Sequence, residues 1–192
     1  LSANKNTFIH LGGGHDHIYP LGMALKNKKI IILNIDAHAD TRTDEFHHSG
    51  NPFRLLDKNA KIKLFEFGLE KFANTKSTLS PLQNSEIEIS WRGNDYKNFF
   101  EKMEKEINSD SHFVFSLDCD AINLASVKAV SAPNPRGLST NEISECIKFY
   151  KEICKKNKLR EIYGIYEFNP IYDDVSSSSA RVISSLIFEM IQ

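Results

Sequence analysis

The chain has 192 residues, of which 41% are apolar and 26% charged, with a formal net charge of −1. That length suits one domain with a sizeable core, and the near-neutral balance gives no electrostatic reason to expect nucleic acid or an anionic membrane surface as partner. No apolar run approaches the roughly 20 residues that span a bilayer, and three cysteines without CxxC spacing, Cys119, Cys146 and Cys154, point to a reducing, cytoplasmic compartment with no disulfide framework.

Residues 7–11 read as a short strand running into Gly12-Gly-Gly-His15, where three glycines permit close backbone approach and positive φ. A short helix is expected over 18–28, with Pro20 early in it. Lys29-Ile-Ile-Ile-Leu-Asn-Ile35 is an almost unbroken apolar run, as in a parallel strand buried on both faces. It ends in Asp36-Ala-His38-Ala-Asp40. Alternate side chains of an extended chain share a side, so these three would converge if the extended geometry continued past Ile35.

Residues 41–52 lack a period and carry turn residues, so they read as a functional loop. A helix starts near Phe53, 61–67 alternates as a strand, 70–85 is polar loop, and 86–91 alternates again. Phe99, Phe100, Met103 and Ile107 recur at helical spacing within 96–107. Residues 112–120 repeat the earlier theme, an apolar strand ending in Asp118 and Asp120, with Cys119 between them read as a small buried hydrophobe. A long loop over 121–138 leads to Ser139-Thr-Asn-Glu142, which has the form of a capping box opening a helix to about 157. A strand over 161–167 ends in Glu167, and a helix over 176–191 closes the chain. Strands alternating with helices imply an α/β fold with a mostly parallel sheet. The first strand comes within a few residues of Leu1, so residues 1–192 are expected to be a single domain lacking an N-terminal portion.

In open α/β sheets ligands bind beyond the carboxyl ends of strands. His15, Asp36, His38, Asp40, Asp118, Asp120 and Glu167 all fall at such ends. Four aspartates gathered there would repel one another unless cations neutralised them. An oxygen-rich set with two imidazoles suits hard or borderline divalent ions, manganese being the natural choice. One ion rarely needs six ligands, whereas two ions sharing bridging carboxylates would use them all.

Gly-Gly-Gly-His15, Asp36-Ala-His38-Ala-Asp40 and Ser116-Leu-Asp118-Cys-Asp120 resemble the three metal signatures of the ureohydrolase superfamily of arginases, agmatinases and formimidoylglutamases. Glu167-Phe-Asn169-Pro170 with Asp173 resembles its fourth motif. The resemblance implies a three-layer αβα sandwich with two Mn(2+) ions. It implies that His15 and Asp40 hold one ion, that His38 and Asp120 hold the other, and that Asp36 and Asp118 bridge. Asp40 would also orient the attacking hydroxide shared by the ions, and Glu167 would hold the planar cationic amidine or guanidine of the substrate.

Within the superfamily the chain is most similar to formimidoylglutamases. Asp120 is not followed by the Pro typical of arginases and agmatinases, and Ser-Ala-Pro133 with Arg-Gly137 matches the formimidoylglutamase pattern. Arg42 follows Asp40 by two and is a candidate clamp for a substrate carboxylate, or else an ion-pair partner of Asp44 or Glu45. His48 precedes Ser49-Gly50, near where arginases carry a proton shuttle, and is a candidate for protonating the leaving group.

The implied reaction is hydrolysis of N-formimidoyl-L-glutamate to L-glutamate and formamide, a step of histidine breakdown. The enzyme implied is cytoplasmic, has a small-molecule substrate and associates as a homo-oligomer. The alternatives are a urea-releasing agmatinase, guanidinobutyrase or arginase, or a non-catalytic binding protein on the same fold. A histone-deacetylase-like relative, which uses one zinc, would not need so many carboxylates.

Overall fold

The computed structural model describes residues 7–79, 81–94 and 96–192. Six strands form one sheet: β1 (Thr7–Leu11), β2 (Lys29–Ile35), β3 (Ile62–Leu69), β4 (Glu86–Trp91), β5 (Ser111–Asp118) and β6 (Glu161–Tyr166). Their order is β1-β6-β5-β2-β3-β4, with every pairing parallel. Five helices connect or follow them: α1 (Ile18–Leu25), α2 (Pro52–Asn59), α3 (Lys97–Glu106), α4 (Thr140–Asn157) and α5 (Ser178–Ile191).

From β2 the chain moves outward to β3 and β4. It then returns to lay β5 against the other side of β2, and continues to β6. Right-handed crossovers that reverse direction must place their helices on opposite faces of the sheet. The side chains show this division. Ile30, Ile32, Leu64 and Val114 pack against Ile18 and Leu21 of α1 and Phe53 and Leu56 of α2. Ile31, Leu33, Phe65 and Phe115 pack on the other face against Phe99 and Met103 of α3, Ile147 and Tyr150 of α4, and Leu186 of α5. Odd and even strand residues thus feed two cores, which is why the strands read as continuous apolar runs. The architecture is the expected αβα sandwich.

The elements expected from periodicity all occur, with ends shifted by a few residues. The capping box is present: Ser139 Oγ accepts the Glu142 N–H, and the Glu142 carboxylate accepts the Ser139 N–H. The 121–138 segment is tied down by bridges between Ile122 and Leu138 and between Asn123 and Asn134.

Tyr150 locks α4 to the sheet. Its fully buried hydroxyl accepts the Ile162 N–H at 2.7 Å and faces the Phe113 and Ile162 carbonyls at 2.9 and 3.0 Å. Tyr150→Phe leaves that amide without its buried acceptor and is expected to lower unfolding free energy by about 1–3 kcal/mol, read from the urea midpoint. An unchanged midpoint would show that the hydroxyl contributes nothing net.

Candidate metal centre

The reversal of strand order falls between β2 and β5, and the crevice beyond their carboxyl ends is where such sheets bind ligands. β2 stops at Ile35, so strand alternation does not bring Asp36, His38 and Asp40 together as expected. The chain turns instead. Asp36 Oδ1 accepts the His38 N–H at 2.7 Å, and Asp40 adopts a left-handed backbone with φ 48°. The same device ends β5, where Asp118 Oδ1 accepts the Asp120 N–H at 2.9 Å and opens a single 3-10 turn, Cys119–Ala121. A short carboxylate at the first position closes each turn on its own backbone and turns its second oxygen toward the site.

The first turn is also stapled from outside. The Asn74 side chain donates to the Ala37 carbonyl at 2.8 Å and accepts the Ala39 N–H at 2.9 Å, bracketing His38.

His15 arrives from the end of β1. Gly12 N–H donates to the Ile165 carbonyl at 3.0 Å, and Glu167 N–H donates to the Gly13 carbonyl at 2.8 Å, so β1 and β6 stay paired into the turn. Gly12 and Gly14 serve by close approach, and none of the three glycines has positive φ. A Cβ on Gly12 would lie 2.6 Å from the Tyr166 ring, and one on Gly14 2.5 Å from Asp16 Oδ1. The Tyr166 ring stacks on the His15 imidazole at 4.9 Å with a 21° interplanar angle. His15 Nε2 lies 3.0 Å from Ser116 Oγ, and its backbone N–H donates to Glu167 Oε1 at 2.8 Å.

Two donor groups result. His15, Asp36, Asp40 and Asp118 each offer one atom within 4.8 Å of the others, as do Asp36, His38 and Asp120. His15 Nδ1 lies 3.1, 2.9 and 3.1 Å from oxygens of Asp36, Asp40 and Asp118. His38 Nδ1 lies 3.1 Å from Asp120 Oδ2 and 3.6 Å from Asp36 Oδ1. Asp36 therefore turns Oδ2 toward one group and Oδ1 toward the other. Asp118, the second carboxylate expected to bridge, turns Oδ2 to His15 and falls within the first group alone.

Six of the seven carboxyl and imidazole groups named at these strand ends thus meet in one place. Glu167, whose backbone is also left-handed at φ 61°, stands beside them as a ligand of the His15 amide.

The electrostatics are those of a site that lacks balance without cations. Burial, reinforced by the charges of Asp120 and Asp36, raises Asp118 well above the carboxylate range. Burial and the Asp36 charge raise Asp40 to about 6. Burial opposes ionisation of Asp36 too, but the imidazoles of His15 and His38 beside it hold it at about 2. The neighbouring Asp120 and Asp36 carboxylates push His38 up to about 11. No Lys or Arg among the described residues pairs with these four aspartates. His15 Nδ1 and Asp120 Oδ1 are buried with no hydrogen-bond partner. Orphaned donors facing several carboxylate oxygens fit divalent ions of the magnesium-to-manganese type better than any protein group present.

A cleft of about 160 Å³ opens over the cluster, lined by His38, Asp40, Asp118 and Asp120 and rimmed by Arg42, His48, Ser131 and Glu167. Arg42 is exposed, and no salt bridge joins its guanidinium to a described residue. A Cβ on Gly50 would press on Arg42 Cδ and Nε at 3.0 Å and on His48 Cε1 at 3.1 Å. His48 Nδ1 accepts the Gly50 N–H at 3.0 Å and Nε2 lies 2.9 Å from Asp44 Oδ2. Asn51, buried at the start of α2, holds this loop by donating to the Phe46 carbonyl at 2.7 Å and accepting the His48 N–H at 3.1 Å. Cys119 faces the apolar core.

A family model described as Arginase family matches residues 1–192. The curated formimidoylglutamase of Staphylococcus haemolyticus is 29% identical over 196 residues, covering 97% of this chain and 61% of the relative. The chain thus spans about three-fifths of the length of such relatives. Among solved structures, formimidoylglutamase from Bacillus subtilis superposes with a TM-score of 0.76 at 22% identity, over 94% of this chain and 58% of that one. Trypanosoma cruzi formiminoglutamase with Mn2+ superposes with a TM-score of 0.76 at 21% identity, over 98% and 65%. These likenesses establish the fold.

Because His38 is protonated in the ion-free chain, taking up a cation must expel a proton. Manganese titration in weak buffer is expected to release at least one proton per chain, with affinity rising about tenfold per pH unit between pH 6 and 8. An affinity independent of pH would remove His38 from the ligand set.

Proposed function

The chain belongs to the arginase family, and on that premise we propose that the protein hydrolyses a linear amidine, N-formimidoyl-L-glutamate, to L-glutamate and formamide. The observation that carries this reading is the pair of donor groups sharing Asp36, four of whose members line a cleft that also presents Arg42 and Glu167. The curated relatives named formimidoylglutamase support the same substrate.

In this reading His15, Asp36, Asp40 and Asp118 would hold one divalent ion and Asp36, His38 and Asp120 the other, with manganese favoured by the donor set. When bound, such a pair supplies Lewis acidity and lowers the pKa of the attacking water. Asp40, at the cleft wall, is placed to accept a hydrogen bond from the attacking water and would orient it toward the formimidoyl carbon. Glu167 accepts the N–H donors of the cationic amidine, whose planar fork matches a carboxylate. The His15 amide on its Oε1 keeps the carboxylate aligned.

Arg42 pairs with a carboxylate of the substrate, and Gly50 leaves the space in which its guanidinium can do so. The C–N bond to the glutamate nitrogen then breaks. That nitrogen takes a proton from His48 on the cleft rim, which recovers one given up by the attacking water. A dicarboxylic amidine uses both rim charges, Arg42 and Glu167. A decarboxylated guanidine such as agmatine would leave Arg42 unused, and arginine or guanidinobutyrate would offer it one carboxylate where formimidoylglutamate offers two.

Formamide without urea is the expected product of the manganese-loaded protein, measured against agmatine, guanidinobutyrate and arginine as competing substrates. Urea release from any of these at higher kcat/KM would reverse the assignment. Asp118→Asn and His38→Ala should lose metal content and turnover together. Full turnover with normal manganese in either variant would break the site assignment. Arg42→Ala is expected to raise KM about tenfold or more with kcat nearly kept, the mark of lost uniform binding, while His48→Gln should lower kcat and spare metal content. An unchanged KM or kcat, respectively, would release each residue from its role.

A further inference from the structure

One polar row crosses the sheet directly beneath the ligands. In register, Glu66 of β3 stands beside Asn34 of β2, Asn34 beside Ser116 of β5, Ser116 beside Gly164 of β6, and Gly164 beside His10 of β1. Each interrupts an otherwise apolar strand, and Asn34, Glu66 and Ser116 are fully buried. Three members of the row reach the site above. Ser116 meets His15 Nε2. Gly164, where a Cβ would collide with the Tyr166 ring, leaves room for the ring that stacks on His15. Asn34 Nδ2 donates both to Asp36 Oδ2 at 3.3 Å and to Glu66 Oε2 at 2.8 Å.

The mechanism above has no use for Glu66, yet a buried carboxyl beside an aspartate cluster is costly to keep. Its Oε1 and Asn34 Oδ1 are both buried without a partner. They belong to side chains already joined by one hydrogen bond, so a single hydrogen between them would satisfy both, closing an acid–amide pair. Burial and the Asp36 charge favour the neutral acid that carries such a hydrogen.

We infer that Asn34 is a positioning residue, locked by Glu66, whose amide holds Asp36 in the orientation that serves both donor groups. This rests on the reading of the cluster as a two-ion centre. The Asp36 carboxylate is fixed at Oδ1 by the His38 amide and at Oδ2 by Asn34, so neither oxygen is free to swing away from its group. Outer partners of this kind typically change metal affinity by about 10–100-fold when removed.

The test is manganese titration of the whole chain, by electron paramagnetic resonance of free Mn(2+) and by calorimetry, with thermal melts of the ion-free protein alongside. The wild type is expected to take two ions. Glu66→Gln, whose amide can accept from Asn34 and donate back to Asn34 Oδ1, should bind within about threefold of wild type. Glu66→Ala should lose affinity. A purely structural role is separated by the double variant Asn34→Leu with Glu66→Leu. It removes both buried polar groups at once and should keep a cooperative melt, yet bind manganese about 10–100-fold more weakly.

A double variant that folds and binds like wild type would overturn the inference while leaving the metal-centre reading intact. So would Glu66→Ala with wild-type affinity. A wild type that takes up no manganese at all would overturn the metal-centre reading, and the positioning role with it.

Discussion

Four aspartates lie closer together than their charges tolerate, buried at the one place where the strand order of the sheet reverses. Everything around them answers that constraint. Burial and mutual repulsion lift Asp40 and Asp118, while two histidines become strongly basic among the carboxylates. Such an arrangement is a poor way to stabilise a protein and a good way to hold cations, since buried charges must be matched by other charges. The αβα sandwich makes the arrangement affordable. Both faces of the sheet are sealed by apolar cores, so the frustrated cluster can sit at one end without weakening the middle.

The precision of the cluster comes from groups that bind nothing themselves. Two turns of the same type, each closed by the first aspartate of its motif, aim the ligands. Asn74 brackets His38, Ser116 and Tyr166 fix the plane of His15, and Asn34 holds Asp36. Backbone strain is concentrated there too: two of the four non-glycine residues with positive φ among the described residues are Asp40 and Glu167. Strained backbone of this sort persists only where its surroundings over-determine it: Asn74 and Thr78 hold the residues on either side of Asp40, and Gly13 and His15 hold Glu167.

The ligands were legible because each is tied to a local signal, an apolar run that ends in an acid or a glycine turn that ends in a histidine. The reason first given for their convergence was nevertheless incomplete. Alternation along an extended strand does not gather Asp36, His38 and Asp40; a side-chain-closed turn does, and nothing in the periodicity distinguishes the two. The holding residues were hidden for a different reason. Asn74 lies in a segment that reads only as polar loop, and its partners stand 35 and 37 positions away. Asn34 and Glu66 were visible as polar intruders in apolar strands, but their meaning depends on register, and register between parallel strands has no signature in either strand alone. Family resemblance supplied roles for Arg42 and His48 that spacing could not.

The pairing of β1 with β6 joins Thr7 to Glu161, and the His15 amide meets a carboxylate 152 positions further on. Contacts of such span close late, because the loop entropy must be spent before they return anything. The donor group at His38 and Asp120 can assemble from the central strands alone, whereas the one at His15 must wait for the last strand to dock. The two ion positions therefore differ in how much of the sheet each needs, and the strand order itself sets that difference.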